Sequence, residues 1–308
     1  MRDRLRKRAP LQITLDNEAT LYFANITLGT PGQPLRLDID TGSSDIWANS
    51  ATSNLCEQYA SQCAVSGTYN ANKSSTYSYV NSDFYIKYAD DSSAQGDYAT
   101  DVLTVSGTSI SNVPFGIGYQ SSSAQGILGV GYAANEASLS TTGQSYQNFP
   151  LILTSSKVIN TPAYSLWLND LDANTGSILF GGVDTDKFTG NLQSLPIIQE
   201  QGEYREFIIA LTGVTVAGQS ILTSAVPVLL DSGSSLSYLP TSYADAIFKV
   251  FNAEYNNQAG AAEVSCSYMN SNQNFQFSFS GVTITVPMNE MVIVDGERRG
   301  TDVCILGK

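Results

Sequence analysis

The strongest constraint on this chain is a short motif that occurs twice. Residues 40–44 read Asp-Thr-Gly-Ser-Ser, and residues 231–235 read Asp-Ser-Gly-Ser-Ser. Each copy follows an apolar-rich extended stretch, at 35–39 and at 227–230. A single Asp-Thr-Gly after a strand is typical of an ordinary turn. Two copies in the two halves of one chain predict two lobes, which bring one carboxylate each, from Asp40 and Asp231, to a shared site.

The absence of histidine further restricts the catalytic mechanisms that this chain could use. None of the 308 residues is a histidine, which excludes Ser-His-Asp and Cys-His nucleophile systems and His-ligated zinc. Acid–base chemistry at neutral or acidic pH must therefore come from carboxylates, with help from Tyr or Lys. Two aspartates within hydrogen-bond distance suit this task, because they cannot both ionise easily and one proton is shared between them.

Charge is distributed unevenly along the chain. The net charge is −13, yet five of the 15 basic residues lie within the first eight positions. The acidic remainder repels phosphate backbones, so nucleic acid is not expected as a partner. We interpret residues 1–8, which end in the dibasic pair Lys7-Arg8, as the remainder of a pro-segment, with Ala9 as the mature start. A solvated basic tail is the alternative.

Four cysteines allow three pairings. Pairing within each half, Cys56 with Cys63 and Cys266 with Cys304, is favoured because each pair then lies in one predicted lobe. The lack of both histidine and Cys-x-x-Cys spacing disfavours a metal site, and no metal or organic cofactor is expected.

Two disulfides indicate an oxidising compartment. The sequons at Asn25 and Asn72 are consistent with a secreted glycoprotein. No run of 18 apolar residues that could span a membrane is present. The expected location is therefore outside the cell, secreted or at the cell surface.

Extended apolar segments separated by clusters of Ser, Gly and Asn predict a chain built mostly of strands. A helical pattern covers residues 241–255 and has Thr241 or Ser242 as its cap. Its apolar face comprises Tyr243, Ile247, Val250 and Phe251. A second short helix is predicted near residues 146–155. The predicted strands are residues 11–28 with a break near 16–17, 35–39, 84–88, 98–105, 166–168, 178–180, 207–215, 228–230, 275–279 and 282–286.

Longer motifs resemble a known family. Residues 22–31 (Tyr-Phe-Ala-Asn-Ile-Thr-Leu-Gly-Thr-Pro), followed by Asp-Ile-Asp-Thr-Gly-Ser-Ser-Asp-Ile-Trp at 38–47, resemble the N-terminal lobe of pepsin-family aspartic proteinases. Residues 125–137 and 177–184 are similar to the fungal candidapepsin and yapsin group within it. The likeness runs from about Leu11 to Cys304. It implies an all-β, bilobal pepsin-like fold with a few short helices and a central cleft, divided into lobes at 9–185 and 186–308.

The resemblance also implies a role for each residue of the repeated motif. Asp40 and Asp231 match the catalytic pair, and Thr41 and Ser232 match the hydroxyl residues that cross-link the two loops. Ser43 and Ser234 match the serines that bond the outer carboxylate oxygens. The substrate-binding residues implied in this way are Gly42, Tyr88, Ala89, Asp90, Gly233, Ser234 and Ser235.

Residues 84–96 resemble the hairpin flap that closes over the substrate in this family. Tyr88 matches its tyrosine, and Trp47 matches the tryptophan that hydrogen-bonds to it. Ala89 and Asp91 stand where close relatives commonly have glycine, so a positive φ is expected at a non-glycine residue. Asp90 and Asp91 add negative charge at the rim, and we interpret this as a preference for basic substrates. A solvated turn is the alternative.

The pattern departs from the family near the end of the sequence. The resemblance implies an apolar-apolar-Gly strand behind each catalytic loop, and Ile127-Leu128-Gly129 matches the first. Ile305-Leu306-Gly307 is interpreted as a different stretch that only looks similar, so the C-terminal lobe is expected to lack its closing segment. A processed two-chain enzyme or a truncated chain would account for this.

Taken together, the sequence predicts a secreted aspartic endopeptidase made as a zymogen, in which two aspartates activate water at acidic pH. The expected partners are protein or peptide substrates, pepstatin-type inhibitors and the pro-segment itself, and the expected form is a monomer or a processed two-chain enzyme. One alternative is a non-catalytic pepsin-like binding module or an inactive truncated form. Another is a β-rich ligand-binding or cell-wall protein, which would leave the repeated motif unexplained.

Overall fold

The computed structural model describes residues 9–307, which divide into two compact units. The first unit holds the described residues up to Gly190 together with Gln199–Phe207 and Asp231–Gly233. The second holds Asn191–Ile198, Ile208–Leu230 and the described residues from Ser234 onward. The units are therefore not contiguous in sequence, whereas the sequence interpretation placed a single boundary after residue 185. The predicted pro-segment and Lys308 lie outside the described residues.

The first unit contains one sheet of ten strands in the order β5-β6-β7-β4-β8-β3-β2-β1-β10-β9. The strands are β1 Leu11–Asn17, β2 Tyr22–Leu28, β3 Gln33–Asp40, β4 Ile46–Asn49, β5 Ser78–Lys87, β6 Ser93–Val105, β7 Thr108–Ser121, β8 Gly126–Gly129, β9 Tyr164–Trp167 and β10 Thr175–Phe180. The helices of this unit are α1 Asn54–Gln58, α2 Ala60–Ser66, α3 Ala137–Thr142 and α4 Phe149–Ser155, with 3-10 turns at Ala71–Lys73, Ala133–Asn135 and Thr185–Lys187.

Strand β3 ends at Asp40, and one face of this strand packs into the core of the unit. Leu35, Leu37 and Ile39 alternate along the strand and are buried in the main core of the unit. Strand β8 pairs with β3 in parallel and aligns Gly129 with Asp40, while also pairing antiparallel with β4. The backbone at Asp40 is therefore paired with β8, and β8 is itself held on its other side by β4.

The second unit contains a five-stranded and a four-stranded sheet. The five-stranded sheet comprises β11 Ile208–Val216, β12 Gln219–Leu222, β13 Val226–Leu229, β16 Asn274–Phe279 and β17 Val282–Pro287. The four-stranded sheet comprises β14 Glu254–Asn256, β15 Ala261–Val264, β18 Val292–Arg298 and β19 Thr301–Leu306. The helices are α5 Thr241–Phe251 and α6 Met288–Met291, with a 3-10 turn at Cys266–Asn270.

The prediction for helix α5 has the right first residue, Thr241, but the wrong capping residue and the wrong end. Ile247 and Phe251 are buried on one face, as the spacing predicts. The helix ends at Phe251 because Asn252 takes a left-handed conformation (φ 49°), and residues 254–256 form β14 instead. Its N-cap is Pro240, which has no side-chain hydrogen bond, so capping by Thr241 or Ser242 is wrong. The second predicted helix begins later than expected, at Phe149.

Strand β19 contains Ile305 and Leu306 and pairs with β15 and β18. Strand β13, which leads to Asp231, pairs with β11. The position of β19 thus differs from that of β8, which lies beside the strand that carries Asp40. The carbonyl of Gly307 accepts a hydrogen bond from the N–H of Ser237 at 2.6 Å. The interpretation that the two apolar-apolar-Gly stretches are not equivalent stays a prediction.

Both expected disulfides are present. Cys56 and Cys63, which link α1 to α2, are separated by 7 residues, and Cys266 and Cys304 are separated by 38. Among the residues that the structure describes, no helix is long and apolar enough to cross a bilayer.

The two disulfides differ in the length of chain that they close, and this predicts unequal contributions to stability. In the chain-entropy description the longer loop contributes about 1.4 kcal/mol more than the shorter one. We expect Cys266→Ser/Cys304→Ser to lower the free energy of unfolding by more than Cys56→Ser/Cys63→Ser. Urea denaturation followed by circular dichroism measures both variants against the unaltered protein. Equal losses would contradict the loop-length explanation.

Candidate active site

The first aspartate is held by its own loop. The N–H of Gly42 donates to Asp40 Oδ1 at 2.7 Å, and the N–H of Ser43 donates to the same oxygen at 3.2 Å. The Ser43 hydroxyl donates to Asp40 Oδ2, which is the bond expected for this serine. Asp40 is only 4% exposed. Its carboxyl plane is therefore fixed by three donors from the loop itself.

The second aspartate, Asp231, lies beside the loop that carries Asp40. Asp231–Gly233 belongs to the compact unit that contains Asp40. The N–H of Gly233 donates to Asp231 Oδ1 at 2.9 Å, in the same way that Gly42 serves Asp40. The N–H of Gly42 also lies 3.1 Å from Asp231 Oδ1. One backbone N–H thus contacts both carboxyl groups, so the two aspartates converge.

A reciprocal pair of hydrogen bonds joins the two loops beneath the carboxyls. The N–H of Thr41 donates to the Ser232 hydroxyl at 3.1 Å, and the N–H of Ser232 donates to the Thr41 hydroxyl at 3.0 Å. The Ser232 hydroxyl donates in turn to the carbonyl of Ile39 at 2.6 Å. Both side chains are buried, so these hydrogen bonds are not exposed to competition from bulk water.

The two glycines of the repeated motif, Gly42 and Gly233, lie where no side chain would fit. A Cβ added at Gly42 would lie 2.6 Å from Asp231 Oδ1, and one added at Gly233 would lie 2.7 Å from the carboxyl carbon of Asp40. Each glycine therefore allows the opposite carboxyl group to approach the backbone.

Burial and mutual repulsion shift the acidity of this pair. Burial, followed by the nearby Asp231 carboxyl, raises the pKa of Asp40 above its ordinary value. The bond from Ser43 opposes this rise. Asp40 consequently retains its proton over the acidic range.

The predicted flap is the hairpin formed by β5 and β6. Residues 88–92 form its tip, where the N–H of Tyr88 donates to the carbonyl of Ser92 at 2.9 Å. Nε1 of Trp47 donates to the Tyr88 hydroxyl at 2.8 Å, which is the contact expected for these two residues. Trp47 is fully buried in a cluster with Phe84, Ile86, Ala94 and Tyr98, against which Tyr88 packs. The flap tyrosine is therefore anchored to a rigid part of the unit.

A comparison with protein-family models matches residues 21–308 to the eukaryotic aspartyl protease family. The chain belongs to this family. It is 49% identical to the probable aspartic-type endopeptidase opsB of Aspergillus fumigatus and 37% identical to secreted aspartic protease 8 of Candida albicans. These alignments cover 100% and 94% of the chain. The resemblance to pepsin-family proteinases is thereby confirmed.

The coverage of the relatives themselves is smaller. The chain spans 66% of the length of the Aspergillus fumigatus protein and 70% of the Candida albicans protein. Among solved structures, an aspartic proteinase from Irpex lacteus superposes with a TM-score of 0.80 at 22% identity, covering 97% of this chain and 86% of that one. This similarity confirms the mostly β aspartic proteinase fold.

The tip of the flap has the unusual backbone that its residues predict. Asp91 takes a positive φ of 66°. Its carboxylate pairs with Lys87 at 2.6 Å, while Asp90 accepts a hydrogen bond from the N–H of Ser92 at 2.9 Å. Ala89, Asp90 and Asp91 are all exposed. The structure thus leaves this turn accessible and partly offsets its negative charge.

The remaining predicted site residues, Ser234 and Ser235, are half-buried and belong to the second unit. Their roles toward Asp231 and substrate stay predictions.

A group of buried polar side chains around Asp45 lies next to the cluster that contains Trp47. The repeated motif does not predict this group. Asp45 is fully buried and accepts hydrogen bonds from the Tyr146 hydroxyl at 2.6 Å and the Tyr98 hydroxyl at 3.0 Å. It also accepts from the N–H of Ala137 at 2.8 Å. Because Tyr98 packs against Phe84 beside Trp47, this carboxyl supports the platform on which the flap tyrosine rests.

Glu136 lies next to this group. It is 2% exposed, and its Oε2 accepts from the N–H of Tyr146 at 2.7 Å, while no residue that the structure describes donates to Oε1. Burial, with a smaller effect from Asp45, raises the pKa of Glu136 to about 8. Glu136 lies within the stretch 125–137 that resembles the fungal group, but that resemblance assigns no role to this glutamate and does not predict its burial.

Asn135 contacts the loop that carries Asp40, and Glu206 lies next to Asn135. Nδ2 of Asn135 donates to the carbonyl of Gly42 at 3.1 Å and lies 3.4 Å from a carboxyl oxygen of Glu206. Burial and the charge of Glu200 raise the pKa of Glu206. Asn135 lies within the stretch 125–137 that resembles the fungal group, which assigns it no role, and Glu206 lies in none of the stretches that carry the resemblance.

The raised pKa of Glu136 predicts how stability depends on pH. The folded state keeps this carboxyl protonated up to about pH 8, whereas the unfolded chain ionises it near pH 4.5. The side chain therefore imposes no penalty below about pH 4.5, and stability is lost progressively between these values as pH rises. We expect Glu136→Gln to reduce this loss by an amount on the order of 3 kcal/mol. The measurement is the free energy of unfolding of both proteins across this range.

Exposed Glu57 on α1 supplies the matched control, because Glu57→Gln changes the same functional group in the same unit. A pH dependence that changes equally in both variants would show that burial of Glu136 is not the cause.

Proposed function

We propose that this chain carries the catalytic site of an aspartic endopeptidase, which hydrolyses peptide bonds at acidic pH through Asp40 and Asp231. The observation that supports this most directly is the single N–H of Gly42 that contacts both carboxyl groups. Family membership and relatives named as aspartic-type endopeptidases support the same assignment.

The proposed reaction follows from one proton shared by two carboxyls, as is general for aspartic proteases. The ionised carboxyl takes a proton from a water molecule held between the pair, and this water attacks the carbonyl carbon of the peptide bond. The protonated carboxyl donates to the carbonyl oxygen, which gives a neutral tetrahedral diol. The carboxyl that took the proton from water donates it to the leaving nitrogen, while the other carboxyl takes a proton from one hydroxyl of the diol, so that the carbon–nitrogen bond breaks and the pair again holds one proton. No covalent enzyme intermediate forms.

The surrounding residues hold the pair for this task. The Thr41–Ser232 cross-link fixes the distance between the loops, and Ser43 orients the Asp40 carboxyl. Tyr88, anchored by Trp47, would close over the substrate and exclude water. Together these contacts position the carboxyls before substrate arrives.

Replacing either aspartate tests the proposal. Asparagine keeps the shape of the side chain but cannot take up or share the proton, so Asp40→Asn and Asp231→Asn should each lower the rate by at least about a thousandfold. Casein digestion at about pH 4, with and without pepstatin, is the assay. Exposed Asp83 provides the matched control, and Asp83→Asn should digest casein at the rate of the unaltered protein. Digestion that survives Asp40→Asn or pepstatin would refute the dyad. Folded protein without any digestion would favour a binding module.

We also propose that the flap tip favours basic residues in the substrate. Because Lys87 already pairs with Asp91, Asp90 should carry most of the effect. We expect Asp90→Asn to reduce the preference for Lys and Arg in a peptide library more than Asp91→Asn does. An unchanged preference in the Asp90→Asn/Asp91→Asn double variant would show that the turn is only a solvated loop.

Secretion as a glycoprotein is a further part of the proposal. The two disulfides and the relative named a secreted aspartic protease support it, and both sequon asparagines, Asn25 and Asn72, are exposed. Intact mass before and after enzymatic deglycosylation of protein from culture medium checks both points.

A further inference from the structure

Asp38 lies two residues before Asp40 on strand β3. Successive side chains of a strand point to opposite faces, so Asp38 shares the face of Asp40, while Leu37 and Ile39 face the core. Asp38 is only 4% exposed. A third carboxyl group is therefore buried on the side of the strand that carries the catalytic aspartate.

The surroundings of Asp38 are mostly apolar or negatively charged. Its register partners are Phe23 on β2 and Ile127 on β8. The backbone N–H groups of Tyr22 and Ile39 face the carboxyl, and the charged groups that act on it are Asp40 and Asp231. No residue in the described part of the chain donates a hydrogen bond to its Oδ1. A carboxylate here would be poorly solvated.

The nearest cation on this strand face does not neutralise Asp38. Arg36 lies two residues earlier, where its guanidinium sits 4.3 Å from the centre of the Phe23 ring. That guanidinium is bonded to Asp16 at 2.9 Å and also to Glu18. Its charge is therefore directed toward β1 and the turn that follows it.

Electrostatics agree with this geometry. Burial makes the largest contribution, and the charges of Asp40 and Asp231 add to it, raising the pKa of Asp38 to about 8. Hydrogen bonds from Tyr22 and Ile39 only partly oppose the rise. Throughout the acidic range Asp38 is accordingly a neutral acid beside the dyad.

We propose that Asp38 is a positioning residue that stores a proton beside the catalytic pair, so that the active site is a unit of three carboxyls holding two protons. This inference rests on the proposed function. In the active state the dyad holds one proton, Asp38 holds the other, and the unit carries a single negative charge. Loss of either proton adds a second negative charge, and Arg36, two residues before Asp38, is already bonded to Asp16 and Glu18.

The consequence concerns the alkaline limit of activity. Once Asp38 ionises, its charge opposes both the ionised dyad carboxyl and the negative charge that develops on the attacked carbonyl oxygen. Ionisation of Asp38 and loss of the dyad proton then both inactivate the enzyme over a similar pH range. Activity should therefore fall more steeply with pH than loss of one proton allows.

The test is the pH profile of kcat/KM for Asp38→Asn, since asparagine mimics the neutral acid and cannot ionise. On the alkaline side the logarithm of kcat/KM should approach a slope of about −2 in the unaltered enzyme and about −1 in the variant. At about pH 4 the variant should lose no more than roughly threefold, because Asp38 is neutral there anyway. Circular dichroism at each pH confirms that the protein remains folded. Pepstatin affinity against pH gives a second readout that is independent of turnover.

Several outcomes would overturn the inference. Equal slopes in both proteins would show that Asp38 stores no functional proton. A change confined to KM for peptides with Lys or Arg would make Asp38 a binding residue for substrate charge. If Asp38→Asn does not fold, Asp38→Ser, which also lacks a carboxyl, should show the reduced slope. Asp40→Asn separates the two proposals, because a fully active Asp40→Asn variant refutes the dyad whatever Asp38 does.

Discussion

The approach of two carboxyl groups to one another is the constraint on which the rest of this site depends. Like charges at this distance repel, and burial adds to the cost, so the backbone must supply donors and the loops must be locked together. The N–H groups of Gly42, Ser43 and Gly233 meet the first requirement. The reciprocal bonds between Thr41 and Ser232 meet the second. The raised pKa of Asp40 keeps this carboxyl protonated in acid, which removes the remaining repulsion.

Buried acids recur throughout the first unit. Asp38, Asp40, Asp45 and Glu136 are each at most 4% exposed, and burial raises the pKa of every one of them. In acid Asp38, Asp40 and Glu136 are neutral hydrogen-bonding side chains, and they become buried charges only as pH rises toward about 8. The interior of the unit is thus suited to the pH at which its proposed chemistry operates, independently of the charge on its surface.

The sequence allowed prediction of those features that depend on short-range pattern. The repeated motif identified Asp40 and Asp231, the alternation of apolar residues located most strands, and the resemblance supplied the Trp47–Tyr88 contact. The end of α5 was missed because the left-handed turn at Asn252 stops a helix whose apolar spacing continues to residue 255. The burial of Asp45 could not be predicted, since its partners Tyr98 and Tyr146 lie 53 and 101 residues away in the chain. Asp38 does have a signal in the sequence. It is an acidic residue in an apolar-rich strand, and it lies two residues before Asp40, a spacing that places both side chains on one face of the strand.

Strand β8 has a consequence for how far such a sequence can diverge. It lies between β3 and β4 with no room for added atoms, since a Cβ at Gly126 would lie 2.5 Å from the carbonyl oxygen of Trp47 and one at Gly129 would lie 2.7 Å from the backbone nitrogen of Asp45. Neither clash involves a flexible side chain that could move aside. Substitution of these two glycines is therefore disfavoured by steric clash alone, although neither glycine takes part in the proposed chemistry. A distant descendant that had lost its catalytic carboxyls would still be expected to carry these two glycines three residues apart.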